Sequence, residues 1–259
     1  MGRRIWLILL GGLGLMVATA RNFGVKVFGA KPRAILSIYA PQHLPAGWES
    51  ALPDYDALSM RLLSPGMTSD ATLYYELGKR AGCRPHGWGY QYLDSFAQAD
   101  KELERLKIQI PKYGIQCYWV NAETQFWNSA DPVAYAAHFV KRFRQAFPGV
   151  GLAWNGYSGA SKFGSGFVQM FDVWGPMAYG TKEGGASVYA KITALVQVAD
   201  QAGVTAAPTV TGGHIMENVS GSGSGQYWGY FFAAKGLLAA YAAAPFDWIN
   251  YWHGAIPGR

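Results

Sequence analysis

Residues 115–123 read IQCYWVNAE, an apolar run that ends on a bare carboxylate with an asparagine two residues before it. In a strand, alternate side chains point the same way. If Glu123 faces one side, Asn121, Trp119 and Cys117 share that side, and Tyr118, Val120 and Ala122 take the other. The second set is apolar and suits a covering layer of helices. A charge at the end of such a run costs free energy unless it is solvated, paired or protonated. Asn121 and Glu123 are therefore either the wet end of an ordinary strand or a site.

The pattern of an apolar run followed by a helical segment recurs along the chain. The runs are RAILSIYAP (33–41), LSMRLLSP (58–65), RPHGWGYQYL (84–93), IQCYWVNAE (115–123), VGLAWNGYS (150–158), FDVWGPMAYG (171–180), TAAPTVTGG (205–213) and DWINYWHG (247–254). Their starts fall mostly about 20–35 residues apart, the spacing of βα units. The helices between them carry start and stop signals. Asp131-Pro132 is a cap followed by proline at the first helical position. Asp94 or Ser95 opens DSFAQADKELERLKIQI, and Ser69-Asp70 opens a helix that stops at Gly82. GASVYAKITALVQVADQAG stops at Gly203, and GQYWGYFFAAKGLLAAYAAA is the most apolar helix.

Eight strands alternating with helices predict an α/β fold, a compact (β/α)8 barrel over 33–259. The chain ends shortly after the eighth run, so the last outer helix is expected to be missing. Residues 1–20, MGRRIWLILLGGLGLMVATA, have the basic, apolar and small-residue parts of a secretory signal with cleavage after Ala20. An uncleaved membrane anchor through residues 5–20, or a helix lying against the barrel wall, are the other readings; 21–32 would connect it. Export, or attachment to a membrane, is the expected localisation.

Composition narrows the partners. The chain has 259 residues, 50% hydrophobic and only 15% charged, as a single domain with a large core requires. The net charge is +6, but six of the 22 basic residues lie in the first 34 positions, which leaves 16 basic against 16 acidic. No basic stripe interleaves with aromatics, so no nucleic-acid partner is expected. Cys83 and Cys117 form no CxxC and have no histidine cluster, so neither metal nor cofactor is expected; one disulfide or two buried thiols both fit. Ten Trp and 16 Tyr exceed what a core needs and suit sugar rings.

The catalytic groups of a barrel enzyme sit at the C-terminal ends of its strands. Glu123 and Asn121 occupy that end of the fourth strand. Trp88, Tyr90 and Tyr92 share a face at the end of the third; Asn155 and Tyr157 follow Trp154 on the fifth; Gly175, Met177 and Tyr179 share a face on the sixth. On the eighth, Asn250 and Trp252 share one face, Tyr251 and His253 the other. His214 follows the seventh. A mouth of Trp, Tyr and Asn around one glutamate fits polyhydroxylated rings. Glycoside hydrolysis usually uses two carboxylates. Asp172 begins the sixth strand at the wrong end and reads as structural, while Asp94 and Glu183 lie in loops, from which either could swing in. One good carboxylate is what a substrate-assisted mechanism leaves. Glu123 is then the general acid, Asn121 holds a 2-acetamido group and Tyr179 bonds its oxygen.

A Glu ending the fourth strand with a polar residue two before it, Met177-x-Tyr179 on the sixth strand and Trp252 on the eighth resemble the family 18 chitinases and related glycosidases. Their fourth strand ends Asp-x-Glu, and here it is Asn121-Ala122-Glu123. Asn-x-Glu is similar to the family 85 endo-β-N-acetylglucosaminidases, and the compact chain is similar to the family 25 lysozymes. The resemblance implies a barrel glycosidase of an N-acetylhexosamine polymer such as peptidoglycan or chitin, with Trp88, Tyr90, Tyr92, Asn155, Met177, Trp252, His214 and His253 as substrate-binding candidates. The alternative is a carbohydrate-binding or structural barrel without catalysis, a cell-surface or virion component.

Overall fold

The computed structural model describes residues 33–38, 47–62, 71–177, 185–211 and 248–252. The chain divides into two units, Met1–Ala30 and Lys31–Arg259, and every described residue belongs to the second. The expected leader, the 212–247 segment in which an apolar helix is expected, and residues 253–259 lie outside the described residues, and so does the expectation of a missing last helix. Among the described residues, no helix is long and apolar enough to cross a membrane.

The strands are β1 (Arg33–Ile38), β2 (Ala57–Arg61), β3 (Arg84–Gln91), β4 (Cys117–Ala122), β5 (Gly151–Trp154), β6 (Val173–Trp174), β7 (Thr205–Ala206), β8 (Thr209–Thr211) and β9 (Trp248–Trp252). They lie in one sheet of order β7-β6-β5-β4-β3-β2-β1-β9-β8. Every pairing is parallel. β7 and β8 are two halves of one barrel strand. The first pairs with β6 and the second with β9, and β9 pairs with β1, so the sheet closes on itself. Pro208 separates the halves because it has no N–H for the ladder. The sixth strand is cut short for the same reason: regular pairing ends at Trp174, before Pro176, and resumes only as single bridges from Met177 to Tyr157 and to Thr209. The (β/α)8 barrel expected from the run spacing is the observed fold.

Six helices are described: α1 (Thr72–Arg80), α2 (Phe96–Tyr113), α3 (Thr124–Trp127), α4 (Pro132–Ala146), α5 (Ser165–Val168) and α6 (Gly185–Ala202). Ser95 caps α2 by accepting from the Gln98 N–H at 3.2 Å, and Asp131 caps α4 by accepting from Ala134 N–H at 3.0 Å. α2 runs one turn past its expected end, through Pro111 to Tyr113, which is buried against Tyr75 with ring centroids 5.0 Å apart. It stops where Gly114 takes φ 64, a left-handed conformation that glycine adopts without strain.

The two audiences of β4 are two hydrophobic layers. Inside the barrel, Cys117 and Trp119 join Ile35, Ala57, Trp88, Ala153 and Ala207. Outside, Tyr118, Val120 and Ala122 join Leu103 and Leu106 of α2 and Phe139 and Phe143 of α4. Trp154 and Trp174 also face outward, stacked at 6.1 Å among Phe126, Phe167 and Phe171. The same division decides the cysteines. Cys83 lies in the outer layer, bonded to the carbonyls of Leu52 and Tyr55, and Cys117 in the inner one; both are free thiols. Burial pushes them up to about 11 and about 12, so both stay protonated. Asp172 is structural: Arg144 clamps it at 2.7 and 2.8 Å, and it accepts the Leu152 N–H at 2.8 Å.

The Trp119 ring fills the barrel because Gly175 gives it room. A Cβ at Gly175 would lie 2.5 Å from that ring and 2.5 Å from the Ala207 carbonyl oxygen. Gly175→Ala is expected to destabilise the barrel by about 1–3 kcal/mol, the usual cost of overpacking. Urea denaturation of the two proteins checks this, and equal midpoints would show that the barrel yields at no cost.

Candidate functional site

Glu123 is the first residue past β4 and the residue before α3. It is half-buried, and its carboxylate accepts hydrogen bonds from the side chains of Asn121 and Tyr157. Burial pushes its carboxyl above the ordinary glutamate value, and the two hydrogen bonds pull it back down. Burial is the larger effect, so the proton is held to higher pH than on an exposed glutamate.

Asn121 is 5% exposed, and its Oδ1 has no partner among the described residues, so its amide nitrogen is the atom turned to Glu123. Asn155 lies alongside, since its backbone N–H bonds the Val120 carbonyl at 2.7 Å. Two residues past inward-facing Ala153, it points into the barrel, fully buried, with both amide atoms unpartnered among the described residues. A buried amide that meets no protein group is costly, so such atoms stand out against a native background of satisfied ones. Here three of them gather on adjacent strands beneath Glu123.

Tyrosines form the walls. Tyr157, at the end of β5, is 39% exposed and bridges in register to Met177. Tyr90, at the end of β3, donates its hydroxyl to Gln125 Oε1 at 2.6 Å. Burial, then the charge of Glu123, pushes the Tyr90 phenol up to about 12. Tyr92 is 41% exposed and meets Tyr90 edge-on at 5.4 Å. Beyond Tyr157 stands Trp127, covered by Phe163 at 5.4 Å and by the Lys162 ammonium at 4.2 Å.

The other expected residues fall as follows. Trp88 is 1% exposed, gives its indole N–H to the Ile38 carbonyl at 3.0 Å and has Arg61 over its ring, so it fills the barrel rather than lining an open face. Trp252 pairs with inward Ser37, and Asn250 with inward Ile35, which places those two at equivalent register positions. Tyr179, Glu183, His214 and His253 lie outside the described residues. Asp94 is exposed and accepts from the Ser95 hydroxyl, and among the described residues no carboxylate contributes to the Glu123 shift. Tyr157, which follows Trp154 in the sequence, makes a bond to Glu123 that parity alone did not reveal, because Tyr157 lies beyond the regular pairing of β5. Gln125 gave no signal, being one polar residue in a short helix. Among the described residues, no three His, Cys, Asp or Glu side chains gather as a metal-binding group.

No protein-family model and no curated protein matches the sequence. Solved structures match it in fold. A family 18 chitinase from Pseudoalteromonas aurantia gives a TM-score of 0.60 over 87% of this chain and 94% of that one, at 10% identity. A chitinase from Bacteroides thetaiotaomicron gives 0.61 over 86% and 89%, at 9% identity. The chain shares the barrel of these glycoside hydrolases. A spore cortex-lytic enzyme from Bacillus cereus gives 0.53 over 70% of this chain and 51% of that one, at 10% identity.

The balance at Glu123 can be moved from either side. Tyr157→Phe removes a bond that favours the carboxylate, and Asn121→Asp replaces one with a like charge. Both variants are expected to raise the Glu123 titration midpoint, Asn121→Asp more. Carboxyl-carbon NMR, with the resonance assigned through Glu123→Gln, measures it; a midpoint lowered in Asn121→Asp would count against this geometry.

Proposed function

We propose that the barrel is a glycoside hydrolase of an N-acetylhexosamine polymer, peptidoglycan- or chitin-like, with Glu123 as general acid. The observation that carries this reading is the group beneath the glutamate. Asn121 Oδ1 is a free acceptor, and Asn155 beside it offers a free donor and a free acceptor. A secondary amide presents one N–H and one C=O, and these asparagines complement both. An acetamido group at C2 of a sugar would sit there with C1 beside Glu123. The barrel shared with chitinases supports the reading at the level of fold.

The chemistry then needs one carboxyl group. Glu123 gives its proton to the glycosidic oxygen as the C1–O bond breaks, and the leaving sugar departs as an alcohol. The acetamido oxygen attacks C1 and forms an oxazolinium ion, its N–H held by Asn121 Oδ1. Glu123, now a carboxylate, takes a proton from a water whose oxygen attacks C1. The ring opens, the acetamido group is restored and the configuration at C1 is retained. Asn121 is well chosen for this cycle. An amide can donate to Glu123 and accept from the substrate at once, where an ionised aspartate could only accept. Tyr90, Tyr92 and Tyr157 supply faces for the sugar, and Tyr179 is the further tyrosine that we assign to the acetamido oxygen.

Glu123→Gln is expected to cut turnover of peptidoglycan or chitin oligomers by about 10²–10⁴ while leaving binding nearly intact. Release of reducing ends, with binding measured calorimetrically, checks both. Among the described residues Glu123 has no carboxylate partner, which favours a second reading, a glycan-binding barrel without catalysis. Binding with no reducing ends from the wild type would select it.

Asn155 separates a ligand role from a structural one. Asn155→Leu keeps the branched shape and the heavy-atom count and removes an amide whose side chain bonds nothing among the described residues. Its melting temperature should hold or rise, and kcat/KM should fall by about tenfold or more, the worth of one or two hydrogen bonds. A loss of stability with unchanged kcat/KM would remove Asn155 from the site.

A further inference from the structure

Behind the sheet, on the helix side of β3, lies a second carboxyl that the reaction does not use. Glu102, in the second turn of α2, is 1% exposed. Its Oε1 accepts the Tyr92 backbone N–H at 2.9 Å and the Gln98 side-chain amide at 3.0 Å. Its Oε2 is buried without a partner among the described residues. Gln91 turns to the same layer: it is fully buried, its amide nitrogen donates to the Tyr118 hydroxyl, and its Oε1 is also unpartnered. The peptide joining Gln91 to Tyr92 is the one Glu102 holds. Two buried acceptors on this layer are therefore without a donor among the described residues, the Tyr118 hydroxyl being already engaged as an acceptor by the Gln91 amide.

We propose that Glu102 is a positioning residue for the mouth: as a neutral carboxylic acid it clamps the Tyr92 peptide from behind the sheet and so sets the Tyr90–Tyr92 edge beside Glu123. A proton on Oε2 supplies the missing donor and gives Gln91 Oε1 its partner. The charged and titratable groups around it do not reverse this. Arg105 on the same helix favours the carboxylate, Asp94 at the start of that helix opposes it, and Tyr118 on β4 is a neutral phenol whose own neighbours include Arg61 and Arg105. Burial outweighs them, and outweighs the Tyr92 and Gln98 hydrogen bonds that also favour the carboxylate, and pushes the carboxyl up to about 7.

The clamp has leverage on the site. The chain turns at Leu93, which takes φ 44, an unusual conformation for a residue with a side chain. The Tyr92 N–H bond is the tie that holds the strand immediately before that turn. Tyr90, two residues back, touches Tyr92 with its ring and Gln125 with its hydroxyl, and Gln125 is two residues from Glu123. An ionised Glu102 would turn a negative oxygen on Gln91 Oε1 and loosen this edge.

The folded chain holds the Glu102 proton more tightly than the unfolded chain does. The stability it contributes is therefore full at acid pH, below the ordinary glutamate value, and is lost as the pH rises through about 7. The full chain, Glu102→Gln and Glu102→Leu are to be compared by urea denaturation between pH 5 and 8.5. Glu102→Gln should come closest to the wild type at pH 5, where the folded wild-type carboxyl is neutral like the amide. By pH 8.5 the folding constant of the wild type should have dropped about 10- to 100-fold relative to that variant. A wild type as stable as Glu102→Gln at pH 8.5 would overturn the proposal, for it would mean an ionised, satisfied carboxylate, its partner a turned Gln91 amide. The positioning role has its own readout, the Glu123 carboxyl resonance. Glu102→Leu should move its titration midpoint and Glu102→Gln should restore it; a midpoint equal in all three proteins would overturn the role. Neither measurement needs a sugar, so this proposal and the hydrolase reading fail separately.

Discussion

The alternation of side chains along β4 is the constraint on which the rest of the molecule hangs. Each residue of a strand in a closed parallel sheet must face either the barrel interior or the helices, and a slip of one residue would exchange the two sets. In this strand the exchange would bury Asn121 among Phe139, Phe143 and Leu106 and would drive Tyr118 into a barrel already filled by Trp119 and Trp88. Neither set tolerates the other's place. The register is therefore fixed by volume and polarity together, and Glu123 arrives at the mouth because six residues before it have no second arrangement.

That constraint also explains what could be read without coordinates. Alternation and run spacing depend on local chemistry, so the barrel, the two faces of β4, the caps at Ser95 and Asp131 and the structural role of Asp172 were all legible. Where prolines interrupt the ladder, the run length overstated the strand: Pro176 shortens β6 and Pro208 splits the seventh barrel strand. Side chains that reach across strands were less legible still. Tyr157 bonds Glu123 from beyond the end of β5, and Glu102 holds Tyr92 from a helix. In α2, Glu102 reads as one more charge on a solvated face, ADKELERLK, and only its burial against the Tyr92 peptide makes it a buried acid. Trp88 erred the other way. Its type and parity suit a sugar platform, but its indole is spent on Ile38.

An amide rather than a carboxylate at position 121 sets the electrostatics of the mouth more than its shape. An aspartate in hydrogen-bond reach of Glu123 would be a like charge, and one of the pair would have to hold a proton. Asn121 removes that coupling and donates to the carboxylate, which makes Glu123 a weaker base than it would be beside an aspartate. Burial still lifts the carboxyl above its ordinary value, so the proton is held to higher pH than on an exposed glutamate even with an amide in that position. A mouth built this way depends on staying dry. Tyr90, Tyr92 and Tyr157 therefore matter for Glu123 as excluders of water as well as for any contact they make with a sugar.

Two carboxyls are thus raised by burial on opposite faces of one sheet, and the same physics gives them different work. Glu123 sits at the C-terminal end of its strand, where the inward face meets solvent and a proton can leave to a bound group. Glu102 is sealed behind the sheet, where its proton can go only to a neighbouring oxygen, and Gln91 supplies that oxygen. The closed sheet keeps the two apart electrostatically: Glu102 does not figure among the causes of the Glu123 shift. They are linked only mechanically, by the short path from the Tyr92 peptide through Tyr90 and Gln125. A barrel strand carries both faces on one backbone, so an acid on the helix side can hold the edge of a site on the other side without its charge ever being felt there.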